Sequence, residues 1–236
     1  RTAMLTMPGG HDYSRPLPLV VSLHGFSGNG WLNSYWLGLF ESTYQNEHLL
    51  LWPNGSTNSG GLRFWNATDA CCNFEGAESD DVGWLTELID ETVDLYGADP
   101  EGIILVGHSN GGFMSHRMAC ERGDLVRSIV NLAGSNYYDF SEDCNDTGSP
   151  NILNVHGTLD SVILYEGGYL WSWSGPYQYP SANLSTSHWA DRYGCGSSTT
   201  SIGSLDLDAL LIGEETTTID HLGCQDGNRV ALWSIE

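Results

Sequence analysis

The chain has 236 residues, 40% of them hydrophobic and 11% aromatic, which is enough to bury a full core and suits a single domain over residues 1–236. Its formal net charge is −22, from 30 acidic residues against eight arginines and no lysine, and such a polyanion argues against nucleic acid and anionic membrane surfaces as partners. No stretch approaches the roughly 20 consecutive apolar residues of a membrane span. No initiator Met, charged n-region or h-region opens the chain, as expected of a mature form whose leader has been removed. The acidic residues are dispersed rather than gathered into a tail, a pattern expected of a solvated surface such as keeps a protein soluble in brine.

Residues 2–7 are predicted as an opening strand and Leu17–Leu23 as a second, interrupted early by Pro18. The second runs into Leu23-His24-Gly25-Phe26-Ser27-Gly28-Asn29-Gly30, a Gly-rich loop that can present backbone N–H groups to an anion. The spacing of a dinucleotide fingerprint is absent. Residues 48–53 form the next predicted strand, followed by a loop rich in Gly, Ser and Asn that carries Trp65 and the adjacent Cys71 and Cys72. Val82, Leu85, Ile89, Val93 and Tyr96 then recur at spacings of three and four, after Ser79-Asp80-Asp81 and before Gly97. This is an amphipathic helix with a capping, dipole-complementing acidic start and a glycine to end it, and capping is preferred over metal ligation for Asp80 and Asp81.

The centre of the chain is the stretch of residues 103–118, where Ile103-Ile104-Leu105-Val106 leads into Gly107-His108-Ser109-Asn110-Gly111 and then Phe113, Met114 and Met118 recur at helical spacing. Strand, tight turn and helix with Ser109 at the tip describe a nucleophile elbow, which needs small residues two before and two after the serine. Its oxyanion hole would take one N–H from the residue after the nucleophile, Asn110, and one from the Gly-rich loop, at Phe26 or Ser27. Further strands are predicted at residues 125–133 and 151–155. Such alternation of strands and helices implies an α/β fold with a mostly parallel sheet covered on both faces, whose ligands bind beyond the carboxyl ends of the strands.

Asp160, in His156-Gly157-Thr158-Leu159-Asp160, follows Ser109 in the order expected of a triad acid, while His156 is read as a brace for that loop. Residues 165–180 are dense in aromatics without periodicity. Two readings stand side by side: a stacking wall for an aromatic or polymeric substrate, with Trp171 and Trp173 as its rings, or a surface loop pinned by those rings. Ala182–Arg192 is predicted as a helix, with late strands at residues 209–212 and 229–235. The six cysteines form no C-x-x-C pair, so a zinc ribbon is not indicated; their even number points to disulfides and an oxidising compartment. The sequence does not choose their pairing, and Cys195 with Cys224 is preferred because both lie in late, turn-rich segments.

Leu23-His24-Gly25, Asp80-Asp81-Val82-Gly83, Gly107-His108-Ser109-Asn110-Gly111-Gly112 and His156-Gly157-Thr158-x-Asp160, followed by Tyr165-x-Gly167-Gly168, occur in one order along nearly the whole chain. In this the chain resembles the secreted poly(3-hydroxybutyrate) depolymerase and feruloyl esterase group of α/β-hydrolases. The resemblance implies Ser109 as nucleophile, Asp160 as triad acid, and an oxyanion hole from the loop after His24-Gly25 and the N–H of Asn110. Cys195 and Cys224 resemble a cysteine pair found in the group. The group carries its catalytic histidine just after a late strand, whereas this sequence stops at Trp233-Ser234-Ile235-Glu236. A C-terminal segment bearing the histidine is therefore expected beyond Glu236; His188 and His221 do not match the motif. The expected activity is that of a secreted serine esterase needing no metal or organic cofactor. Its substrates would be polyester or feruloyl and acetyl polysaccharide esters, small or polymeric. A binding module with a decayed triad, and a peptidase, are the rivals.

Overall fold

A computed structural model describes residues 1–46, 48–144, 148–172, 175–207 and 213–236. In chain order the strands and helices are β1 (Leu5–Thr6), β2 (Leu17–Leu23), α1 (Gly30–Trp36), α2 (Leu39–Asn46), β3 (Leu49–Leu51), β4 (Ser56–Thr57), β5 (Arg63–Phe64), α3 (Asp81–Tyr96) and β6 (Ala98–His108). There follow α4 (Asn110–Glu121), β7 (Ser128–Leu132), α5 (Phe140–Asp143), β8 (Asn151–Gly157), β9 (Gly168–Ser172), β10 (Gly175–Tyr179), α6 (Ala182–Arg192), β11 (Thr199–Leu205), β12 (Thr216–His221) and β13 (Val230–Ile235). Nine strands make one sheet in the order β1-β3-β2-β6-β7-β8-β13-β12-β11. The six from β3 to β13 run parallel, and antiparallel strands close both sides.

Local chemistry explains the central elements. β2 buries six of its seven residues, and its register with β6 shifts between Leu17 and Leu19, where Pro18 brings no N–H to the ladder. Leu19, Val21 and Leu23 enter the main core, which also holds Phe113, Met114 and Met118 of α4. Ser22 faces the other way and accepts a hydrogen bond from Asn33 of α1, so α1 and α4 lie on opposite faces of the sheet. Asp80 caps α3 by accepting from the Gly83 N–H at 2.7 Å, and Gly97 ends it at φ 71°.

Several expectations need correction. α1 and α2 had no signature, because α1 exposes Trp31, Tyr35 and Trp36 instead of burying a stripe. The aromatic stretch of residues 165–180 contains an antiparallel hairpin, with Trp171 opposite Pro176; rings on both faces erase the alternation that marks a strand. β11 and β12 emerge from sequence read as Ser-, Thr- and Gly-rich, since the inward positions Thr216, Thr218 and Asp220 are polar. The late strand predicted at residues 209–212, and Trp173, lie outside the described residues. Cys195 pairs with Cys224, as the sequence preferred; Cys71 pairs with Cys72 and Cys120 with Cys144. No helix among the described residues is long and apolar enough to cross a membrane. Replacing the cap in Asp80→Ala is expected to lower stability by about 1 kcal/mol, read as a lower urea midpoint with unchanged slope; no change would mean the cap is energetically silent.

Candidate active site

Ser109 lies where β6 turns into α4, with φ 52° and ψ −119°. A non-glycine residue in this region costs on the order of 1–3 kcal/mol and persists only when its surroundings dictate it. Here they do. A Cβ on Gly107 would overlap the Gly111 carbonyl and the Ser115 hydroxyl, and one on Gly111 would overlap the Leu23 carbonyl. The strand, the helix and β2 therefore meet at van der Waals distance, and the Ser109 N–H donates to the Leu132 carbonyl at 2.8 Å. Although Ser109 occupies the cap position of α4, its side chain makes no cap hydrogen bond, so the hydroxyl is left available.

The Gly-rich loop approaches from β2. A Cβ built on Gly25 would sit 3.3 Å from Ser109 Cβ and 3.2 Å from His108 Nδ1, which requires glycine or a shift of the elbow. The loop is fixed by His24, a fully buried ring that donates from Nδ1 to the Gly25 carbonyl (2.7 Å) and accepts at Nε2 from the Gly55 N–H (3.0 Å). Burial, chiefly, lowers the pKa of His24 to about 4, so the ring is neutral and structural. Ser27, one of the two candidate oxyanion donors in this loop, gives its N–H to the Arg63 carbonyl at 2.7 Å. Phe26 remains, its N–H without an acceptor among the described residues. Asn110 opens α4, so its N–H has no carbonyl one turn back. The Asn110 side chain acts elsewhere, accepting from the Trp65 N–H (2.7 Å) and donating to the Trp65 carbonyl (3.0 Å). That clamp was not legible in the sequence, where Trp65 was merely an aromatic in a polar loop.

Asp160 follows β8. Its Oδ1 accepts from the N–H groups of Val162 (2.8 Å) and Ile163 (3.1 Å), and Oδ2 lies 3.5 Å from His156 Nε2. The buried His156 spends that nitrogen on the Ile163 carbonyl at 2.7 Å, so it braces the loop. Asp160 is within electrostatic reach of His108, the neighbour of Ser109: burial lowers the His108 pKa and the Asp160 carboxylate opposes the shift. The end of β13 joins the same loop through Thr158 N–H to the Ile235 carbonyl at 2.8 Å. Trp171 stands 75% exposed on β9.

No described histidine hydrogen-bonds Ser109. His221 pairs with Val230, which pairs with Ile152 at the start of β8, so it occupies the sheet edge remote from Asp160. His188 stacks on Phe140 with centroids 5.1 Å apart. His116, fully buried on α4, bonds Asn154 and Trp189, and burial takes its pKa down to about 3. Asp81 is also fully buried, accepting from the Asn66 N–H, the Ser79 hydroxyl and Arg1; together with the Asp80 cap, this spends both acids on structure.

Among known proteins, feruloyl esterase B of Piromyces equi is 25% identical over 205 residues, 83% of this chain and 36% of that protein. Feruloyl esterase C of Emericella nidulans is 29% identical over 175 residues, 71% and 58% respectively. The acetyl xylan esterase from Aspergillus awamori superposes over 98% of this chain and 86% of its own, with TM-score 0.67 and 16% identity. The chain belongs to the α/β-hydrolase superfamily. Its feruloyl esterase relatives fall within the group that the sequence motifs resemble. No protein-family model matches it, and it spans between about a third and three fifths of the length of the two feruloyl esterases.

His24 and His116 give this hydrolase fold an acid limit. Both are held neutral in the fold, whereas unfolded histidine keeps a pKa near 6.5, so the unfolded chain binds more protons as pH falls. Their contribution is complete above about pH 6.5 and declines towards pH 4, by about 3 kcal/mol for His24 at the lower end. Urea midpoints measured from pH 7 to 4.5 should fall, and fall less steeply in His116→Gln; a flat profile would overturn this account.

Proposed function

We propose that this chain is the catalytic domain of a serine carboxylic-ester hydrolase that removes acyl groups from polysaccharide through an acyl-enzyme. The observation that carries the reading is Ser109, held at φ 52° with an unspent hydroxyl, against a loop and a helix start that each offer an N–H. Ser109 Oγ attacks the ester carbonyl as a histidine takes its proton; the Phe26 and Asn110 N–H groups receive the oxyanion; water then releases the acid. Asp160 holds the histidine in the required tautomer, using the oxygen its own turn leaves free. We place that histidine in residues that follow Glu236. The parallel register of β13 with β8, Ile235 opposite Gly157, delivers the chain to the loop of Asp160 there, which supports the assignment.

The names of the relatives, feruloyl esterase and acetyl xylan esterase, support acyl esters of plant polysaccharide as substrates. Three disulfides fit an oxidising compartment, and we infer secretion. A second reading, hydrolysis of an apolar polyester, is favoured by Leu159 (87% exposed) and Val162 (71%) beside Asp160, since bare aliphatic side chains suit an apolar surface.

The test is turnover of methyl ferulate and 4-nitrophenyl acetate by the full-length protein, set beside clearing of a polyester emulsion. Ser109→Ala should lose turnover by at least about 10⁴-fold, and Asp160→Asn by roughly 10²- to 10⁴-fold in kcat. Turnover that survives Ser109→Ala would remove the serine mechanism. Polymer binding without any turnover would instead mark a binding module.

A further inference from the structure

A cavity of about 410 Å³ opens above α4, between the loop that starts at Trp65, the turn after β7, and β10. Phe74, Tyr137 and Tyr177 bring rings to it, and Thr68, Asp69 and Arg117 bring polar groups. Two buried hydroxyls here are unspent. Tyr137 is only 8% exposed and its hydroxyl has no hydrogen-bond partner among the described residues, and Thr68 Oγ1 is buried without one. Arg117 gives Nε to Glu121 and Nη1 to the carbonyls of Asn66 and Ala67, which leaves Nη2 unbonded among the described residues. Folded proteins seldom leave buried polar groups unsatisfied, so several around one cavity mark a place where something polar binds.

The cavity is physically joined to the elbow. Phe74 packs edge-on against Phe26, with centroids 5.4 Å apart, and the Trp65 end of its loop is clamped to Asn110. Arg117 stands eight residues after Ser109 on α4, about 12 Å along the axis, and helical side chains lean back towards the N-terminus. That span suits an acyl group with a ring at the end of a rigid linker. An acetyl group would not reach.

We propose that this cavity receives the hydroxylated aromatic ring of the ester's acid, and that Tyr137 and Arg117 read its ring oxygens, making hydroxycinnamoyl esters the preferred class. The inference rests on the ester-hydrolase reading above. Phe74 and Tyr177 contact the ring; Arg117 Nη2 and the Tyr137 hydroxyl donate to methoxy and phenol oxygens; Asp69 accepts from the phenol. Burial pushes the Tyr137 pKa up to about 12, which keeps it a donor. Three aromatic rings favour a planar guest over a pentose, whose several hydroxyls would demand more partners than the cavity supplies.

The deciding experiment compares the full-length protein with Tyr137→Phe on methyl ferulate, methyl cinnamate and methyl acetate, which share one leaving group. Losing one hydrogen bond to the ring should lower kcat/KM for methyl ferulate about tenfold, with the other two within about twofold. Equal losses on all three would make Tyr137 structural and overturn the proposal, as would no loss on methyl ferulate. A loss seen only with feruloylated arabinose would put the sugar in the cavity, which also overturns it. Calorimetric titration of methyl ferulate into Ser109→Ala, with and without Tyr137→Phe, reads the cavity without turnover. If no ester is turned over, the hydrolase reading fails, while this titration still decides the cavity: about tenfold weaker binding sustains it, and unchanged or absent binding overturns it.

Discussion

The contact on which the site depends is the close approach of β2, β6 and α4 at Gly107 and Gly111. Because neither position has room for a Cβ, the helix starts within a residue of the strand end. Ser109 is thereby forced into a backbone conformation that a serine would not choose. The strain is offset by the core beneath, where Phe113, Met114 and Met118 of α4 pack with Leu19, Val21 and Leu23 of β2. A looser packing would let the turn relax to an ordinary φ, and the hydroxyl would fall back to cap its own helix, as serines at that position commonly do.

A second layer of fixed polar contacts arranges the backbone around that serine. His24 cannot titrate near neutrality and serves as a two-ended hydrogen-bonding strut between the Gly25 carbonyl and the Gly55 N–H. Asn110 combines two functions in one residue: its N–H stays open at the helix start, while its side chain grips Trp65. Through Trp65 the elbow is coupled to the loop that carries the Cys71–Cys72 disulfide and one wall of the cavity above α4. The nucleophile and the proposed acyl cavity thus share a mechanical support, which would keep a bound ring in register with the reacting carbonyl.

Across the sheet, parallel register does the equivalent work for the acid. β8 and β13 end side by side, with Ser234 opposite His156 and Ile235 opposite Gly157, and the Tyr165 hydroxyl bonds Ser234 at 2.7 Å. The loop of Asp160 is therefore held both by its own turn and by the last strand. His221, attractive only by its lateness in the chain, is carried by an antiparallel strand to the opposite edge.

Much of this was legible in the sequence. The apolar run before Ser109, the two glycines around it, the capped periodicity from Asp80 to Gly97 and the helix over Ala182–Arg192 are local signals, set by sterics and short-range hydrogen bonds that depend only on neighbouring residues. The order Ser109 then Asp160, and the strands that carry them, followed from the same signals. Tertiary structure alone decided the rest. α1 turns its aromatics outward, β11 and β12 bury threonines, and the hairpin of β9 and β10 carries rings on both faces, so none has the hydropathy period from which an element is read. The removal of Ser27 as a donor by Arg63, the clamp between Asn110 and Trp65, and the meeting of Tyr137 with Arg117 join residues 20 to 45 positions apart. Such contacts are fixed by where the sheet places its loops, and no pattern along the chain encodes them.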